Sequence, residues 1–344
     1  MKRILFVLLV LVALITAVSA NGAQETTSPA SPAKEEAKYN TITLKFGTSS
    51  AESSLTAKAF KDWGARLDKA TNGAVKVDVY CSSVLGNNTE MTQGAQMGTI
   101  DVVVIQPSGL ADMGAKRMNV LVLPYLFKDY DQYYKTLYGK IGDELLGDIT
   151  KNIKGLVGFS YLADGGRCYF NNGRPIKTIQ DIKGMKLRVQ SYAIDSSTAK
   201  AIGFSATPTA LSELYSALQT GVVDGAEQPL SAIDGNAFYE VAKYLVLDNH
   251  TYNIPTLVVS AMTWNKLNDA TKVLLKEKWI ETVEQFFKPS LKDYEASLLK
   301  KFQTAGMQIV NIEDYNKWVE AVAPVWKQYG AGLEDIIAQI QAQK

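Results

Sequence analysis

The chain has 344 residues, a formal net charge of +1, 47% hydrophobic residues and 21% charged residues. That length suits roughly two domains with ample core, and the near-neutral balance leaves no electrostatic footprint for nucleic acid or an anionic membrane surface. The single histidine, His250, excludes paired-histidine zinc motifs.

Taken in order, Lys2-Arg3 precedes a run, Ile4 to Val18, that is apolar apart from Thr16, and Val18-Ser19-Ala20 follows. Residues 1–20 therefore read as a secretory signal peptide with a cleavage site after Ala20; the alternative, an uncleaved anchor, is weaker because the apolar run is short for a spanning helix. Losing Lys2 and Arg3 with it would change the net charge from +1 to +1 − 2 = −1. Residues 21–40, rich in Ala, Ser, Thr, Pro, Glu and Lys, read as a disordered tether. A strand is expected at 41–46 with Ile42, Leu44 and Phe46 inward. Gly47-Thr-Ser-Ser50 forms a loop, and Leu55, Ala59, Phe60, Trp63 and Leu67 mark a helix. Val75, Val77 and Val79 make a second strand. Ile100 to Ile105 make a third, apolar enough for burial on both faces. Cys81 and Cys168 are expected to be unbonded, as small buried hydrophobes, although an even count in an exported chain permits a disulfide.

Alternating strands and helices imply an open α/β architecture. Near Gly165 the chain begins a second series of strands and helices, and Thr256-Leu-Val-Val-Ser260 reads as a strand returning to the first. Two lobes with a hinge and a central cleft follow: 41–163 with 253–292 as lobe I, and 164–252 with 293–344 as lobe II. Residues 268–302 carry a helical pattern interrupted at Pro289, which should bend or break the helix. A last helix is expected to carry Trp318, Val322, Val325 and Trp326.

Within the second lobe, Met185, Leu187 and Val189 alternate with Lys186, Arg188 and Gln190, which places Arg188 on the face opposite the apolar one. Leu211, Leu214, Tyr215 and Leu218 have helical spacing with Gly221 as a stop. Val222-Val223 reads as a short buried strand closed by an Asp224-Gly225 turn. Ligands of open α/β sheets sit beyond the carboxyl ends of strands, where Arg188 and Gln228 are expected. Catalytic signatures are missing: there is no Gly-x-Ser-x-Gly elbow, P-loop or Cys-x-x-Cys. No catalytic residue, cofactor or metal is expected.

The blocks Gly184-Met-Lys-Leu-Arg-Val189, Glu213-Leu-Tyr-Ser-Ala-Leu-Gln-Thr-Gly-Val-Val-Asp-Gly225 and Phe238-Tyr-Glu-Val-Ala-Lys-Tyr244, with Asn249-His250, together resemble the solute receptors of tripartite ATP-independent periplasmic (TRAP) transporters, the DctP family. The likeness extends more weakly from about Ile42 to the C-terminus. It implies a periplasmic, monomeric receptor that captures an organic acid in a closing cleft and delivers it to membrane subunits. A long bent helix would lie across both lobes. The resemblance gives Arg188 the anchoring of the ligand carboxylate, for which a guanidinium supplies two parallel charge-assisted bonds. Arg167, in a Gly-x-Arg pattern, would bind the same carboxylate, another polar group, or a neighbouring acid. Gln228 stands where the family usually has Asn before Pro229. Ser49 and Gln106 would face the cleft from lobe I, Leu211 replaces an aromatic residue, and Ser191 and Tyr192 follow the anchor strand. Tyr215, Leu218, Asp224 and Glu227 read as scaffold, and His250 as a hinge residue. The ligand stays open between a dicarboxylate, a sugar acid and a keto acid. An exported hydrolase or a ligand-presenting sensor module are the alternative functions.

Overall fold

Residues 38–343 are described by a computed structural model of the chain, and the expected signal peptide and all but the last three tether residues lie outside them. Those three are tied to the domain: Asn40 bonds Thr271 and Lys266 and accepts from the Asn268 amide.

Eleven strands occur among the described residues: β1 (Ile42–Gly47), β2 (Val75–Tyr80), β3 (Val102–Ile105), β4 (Leu156–Tyr161), β5 (Gly166–Asn171), β6 (Lys186–Val189), β7 (Ser205–Pro208), β8 (Gly225–Pro229), β9 (Tyr244–Tyr252), β10 (Thr256–Ser260) and β11 (Gln308–Asn311). They form two sheets, ordered β2-β1-β3-β10-β4 and β11-β9-β5-β8-β6-β7. The chain passes from the first sheet to the second between β4 and β5 and returns between β9 and β10. The two crossing segments run side by side, with Leu162 N–H donating to Pro255 O at 2.8 Å and Asn253 N–H to Gly165 O at 2.9 Å. This paired crossover is the hinge of a two-lobed α/β fold.

Alternation on β1 puts Leu44 and Phe46 fully inside. There Phe46 packs on Phe60 at 4.6 Å between ring centroids and on Trp63 at 6.2 Å. Burying each such side chain contributes roughly 2–3 kcal/mol. The helix Asp269–Thr282 closes this core, with Trp279 0% exposed. It continues through a π-helical turn, Val283–Phe287, into the helix Lys288–Thr304. Pro289 sits immediately after that turn. A proline has no N–H for the carbonyl four residues back, and a widened turn accommodates its ring. The first half of this helix packs on Leu55–Ala70 of lobe I and the second on Leu230–Gly235 of lobe II, so it bridges both.

Three expectations need correction. No strand forms at Val222-Val223, because Val222 is 59% exposed and Asp224 closes the start of the β6–β8 ladder: its N–H donates to Lys186 O and its carboxylate accepts from Lys186 N. The ladder begins at Gly225, so Glu227 and Gln228 lie within β8. The terminal helix divides at Val322, just before Pro324, into Tyr315–Ala321 and Ala323–Tyr329. A further helix, Glu334–Ala342, docks on Tyr130–Leu137 of lobe I, where Gln132 Nε2 donates to Ile340 O at 2.8 Å. Cys81 and Cys168 are both free and buried.

Candidate functional site

Two adjoining cavities open between the sheets and share Ser49, Asn88, Arg188, Gln190 and Leu211 in their walls. The space within them is ≈ 70 and ≈ 140 Å³. Both lobes contribute: the loop after β1 and the end of β3 on one side, β5, β6 and β8 on the other. The structure places every sequence-predicted site residue here. Arg167, Gln228 and Gln106 line the first cavity, Ser191 and Tyr192 the second, and Ser49, Leu211 and Arg188 both.

The two arginines are in different states. Arg167, on β5, lies against Glu227 of β8. Its Nε donates to Glu227 Oε2 at 2.5 Å, its Nη2 to Oε1 at 2.7 Å, and its Nη1 to Asn253 Oδ1 at 2.9 Å. Of the three partners the sequence left open for it, the structure supplies the neighbouring acid. Burial alone would raise the Glu227 pKa, but the Arg167 charge and the hydrogen bonds from His250 and Arg167 outweigh it and hold the carboxyl down at about 2. Arg188, on β6, is 4% exposed and flanked by Thr207 of β7 and Ala226 of β8. Its Nε donates to Thr209 O at 2.8 Å, while its buried Nη1 meets no acceptor among the described residues. Burial and the nearby Arg167 charge pull its pKa down to about 10 against the pull of Glu227 and Asp195, so it stays charged at neutral pH.

Behind Arg167 the network continues through His250, whose Nδ1 lies 2.7 Å from Asp248 Oδ2 and whose Nε2 lies 3.6 Å from Glu227 Oε2. Burial would lower its pKa, yet Asp248 and Glu227 override that and lift it to about 9. Toward lobe I, Gln106 uses its amide on the crossover, donating to Asn253 Oδ1 at 3.0 Å and accepting from Ile254 N–H at 3.3 Å. Asn253 Nδ2 donates to Asp164 Oδ2 at 2.8 Å, and Asp164 also accepts from Thr56, Ser231 and the Gly165 amide.

Asn253, Asp164, Ser231 and Asn88 escaped the sequence reading, and Glu227, read as scaffold, is the acid that occupies Arg167. The β5–β8 pairing that joins Arg167 to Glu227 links positions sixty apart, so local pattern carries no trace of it. Asp164 and Asn253 stand at the two crossovers, and that position was the available signal. Among the described residues no group of three or more metal-ligating side chains occurs, and no helix is long and apolar enough to cross a membrane.

The chain also matches known proteins. A family model described as bacterial extracellular solute-binding protein, family 7 (DctP), matches residues 46–332. The sialic acid-binding periplasmic protein SiaP of Vibrio cholerae is 29% identical over 301 residues, covering 87% of this chain and 92% of that protein. The C4-dicarboxylate-binding periplasmic protein DctP of Rhodobacter capsulatus is also 29% identical over 301 residues, covering 86% and 90%. A crystal structure of a TRAP periplasmic solute-binding protein from Pseudomonas putida F1 with bound D-glucuronate matches with a TM-score of 0.83 at 29% identity, covering 88% of this chain and 98% of that one. The chain belongs to the DctP family of extracellular solute-binding proteins.

Proposed function

We propose that the protein is the periplasmic receptor of a TRAP transporter. It captures a small organic acid between its lobes with the carboxylate on Arg188 and delivers it to the membrane subunits. We take 41–163 with 253–292 and 164–252 with 293–344 as the two bodies that close on the ligand, with the last helix riding on the first. The observation that carries this reading is Arg188: a buried cation in a cavity walled by both lobes, with Nη1 unsatisfied among the described residues. A carboxylate meets that need with paired charge-assisted bonds. Arg167 supports the site from behind, held by Glu227, and the protein acts as a monomeric binding module rather than an enzyme. The three relatives named above bind different acids, so kinship leaves the ligand open.

Calorimetry on the ligand retained through purification, identified by mass spectrometry, tests the assignment. Arg188→Ala should cost about 2–5 kcal/mol of binding, roughly 30-fold to several thousand-fold in affinity. Arg188→Lys should recover only part, because an ammonium cannot make the fork. Affinity within a few-fold of wild type in Arg188→Ala would remove Arg188 as anchor.

A further inference from the structure

The charges and donors of the cleft narrow the acid it takes, an inference that rests on the Arg188 anchor. Among the described residues, Arg167 and Arg188 are the only cationic side chains lining the two cavities. Arg167 is already neutralised, because both Glu227 carboxylate oxygens accept from it. One cation therefore remains for a ligand. The anion in the same wall, Asp164, is buried at 1% exposure and accepts four hydrogen bonds, from Asn253, Ser231, Thr56 and the Gly165 amide. A ligand with two carboxylates would bring a second one into walls that offer no second free cation and already hold Asp164, and a buried unpaired charge is among the costliest arrangements a protein can make.

The neutral polar groups point the same way. Asn88 lines both cavities, and its Oδ1 is buried without a donor among the described residues. Gln190 and Gln228 line the first cavity. An ionised dicarboxylate such as succinate offers acceptors only, so it cannot satisfy the Asn88 oxygen. A hydroxyl both donates and accepts. The geometry points to a monocarboxylate bearing several hydroxyls, of the aldonic or uronic acid class, with Arg188 on the carboxylate and a ligand hydroxyl donating to Asn88 Oδ1. A small unbranched dicarboxylate is selected against by charge, and a keto acid with an apolar tail by the amides it would leave unmatched.

The experiment is calorimetry on the full folded protein after exhaustive dialysis, with D-glucuronate, D-gluconate and D-galactonate set against succinate, D-glucarate and D-glucitol. At least one hydroxylated monocarboxylate should bind 100-fold or more tightly than both diacids, with D-glucitol showing no heat. D-Glucarate is the decisive comparison, because it adds a second carboxylate to the gluconate skeleton. Asn88→Ala, checked for native circular dichroism, should weaken the best ligand about 10- to 100-fold. Succinate or D-glucarate binding as tightly as the best monocarboxylate would overturn the inference, as would failure of all three hydroxylated acids. If a diacid wins and Arg188→Ala abolishes its binding, the carboxylate-receptor reading stands. If D-glucitol binds as well as the acids, that reading falls too.

Discussion

Replacing Glu227 by glutamine isolates the electrostatic support of the site. The side chain keeps its volume but loses the charge that faces Arg167 at 2.5 and 2.7 Å. Arg167 is 5% exposed and Glu227 8%, so little water reaches the pair to screen it. Removing one partner of such a buried pair costs about 3–5 kcal/mol, most of it the stranded charge and not the lost attraction. For a chain of this size that corresponds to a fall in Tm of roughly 5–10 °C. Differential scanning calorimetry at pH 7 reads it directly. The double change Arg167→Met with Glu227→Leu provides the control: with both charges gone and apolar volume restored, most of the loss should return, while ligand affinity should not. A Tm within about 1 °C of wild type for Glu227→Gln would show that the pair is not carrying the cost assigned to it. Failure of the double variant to recover would place the cost in packing or in His250, whose Nε2 loses Glu227, instead of in the Arg167 charge.

His250 gives the fold a pH signature. It holds its proton up to about 9 in the folded chain against about 6.5 unfolded, so its contribution is complete below pH 6.5 and fades as pH rises to 9. Stability should fall by up to about 3 kcal/mol across that window, and His250→Gln should flatten the profile; an unchanged profile in the variant would refute the role. Gly225→Ala should be strongly destabilising, because the added Cβ would lie 2.2 Å from Phe170 O in the neighbouring strand. A backbone oxygen fixed in a β-ladder cannot retreat as a side chain can, so the loss should exceed 1–3 kcal/mol of ordinary overpacking by urea titration, and a neutral variant would refute that spacing.

The sequence was most legible where one element carries its own periodicity. Leu44 and Phe46 on β1, and Met185, Leu187 and Val189 around β6, announce their faces by alternation, and the structure buries all five. Proline was legible too: Pro289 marks the place where a long helix changes its hydrogen-bond pattern. What stayed hidden depends on residues distant in sequence. Arg188 and Arg167 look alike as letters, and only the β5–β8 and β6–β8 pairings reveal that one is occupied by Glu227 and the other is not. Val222-Val223 misled for a related reason. Two apolar residues suffice for a strand pattern, but Asp224 hydrogen-bonds the start of β6 and delays the ladder.

Asp164 shows how a single carboxylate joins these layers. It stands in the first crossover and gathers donors from three bodies: Thr56 from a lobe I helix, Ser231 from a lobe II helix, and Asn253 from the returning crossover. Separating the lobes must break the Thr56 or the Ser231 bond, according to which body Asp164 follows, so one of the two belongs to the closed arrangement. Asp164→Asn would keep the shape but set an amide N–H₂ among donors, most directly against Asn253 Nδ2. With that one inter-lobe bond weakened, at about 1 kcal/mol, the closed state should lose roughly 5-fold in population. Ligand affinity should fall by a similar factor, and small-angle scattering of the liganded variant should show a larger radius of gyration than wild type. Because Asp164 also lines the cavity, direct ligand contact must be separated from closure. Thr56→Val and Ser231→Ala serve for this, since each removes one of the two bonds and leaves the carboxylate in place. If Thr56→Val or Ser231→Ala reduces affinity in step with an increase in radius, Asp164 acts through closure. If Asp164→Asn weakens binding while both partners' variants bind and scatter like wild type, the clasp is disproved and Asp164 is a ligand contact.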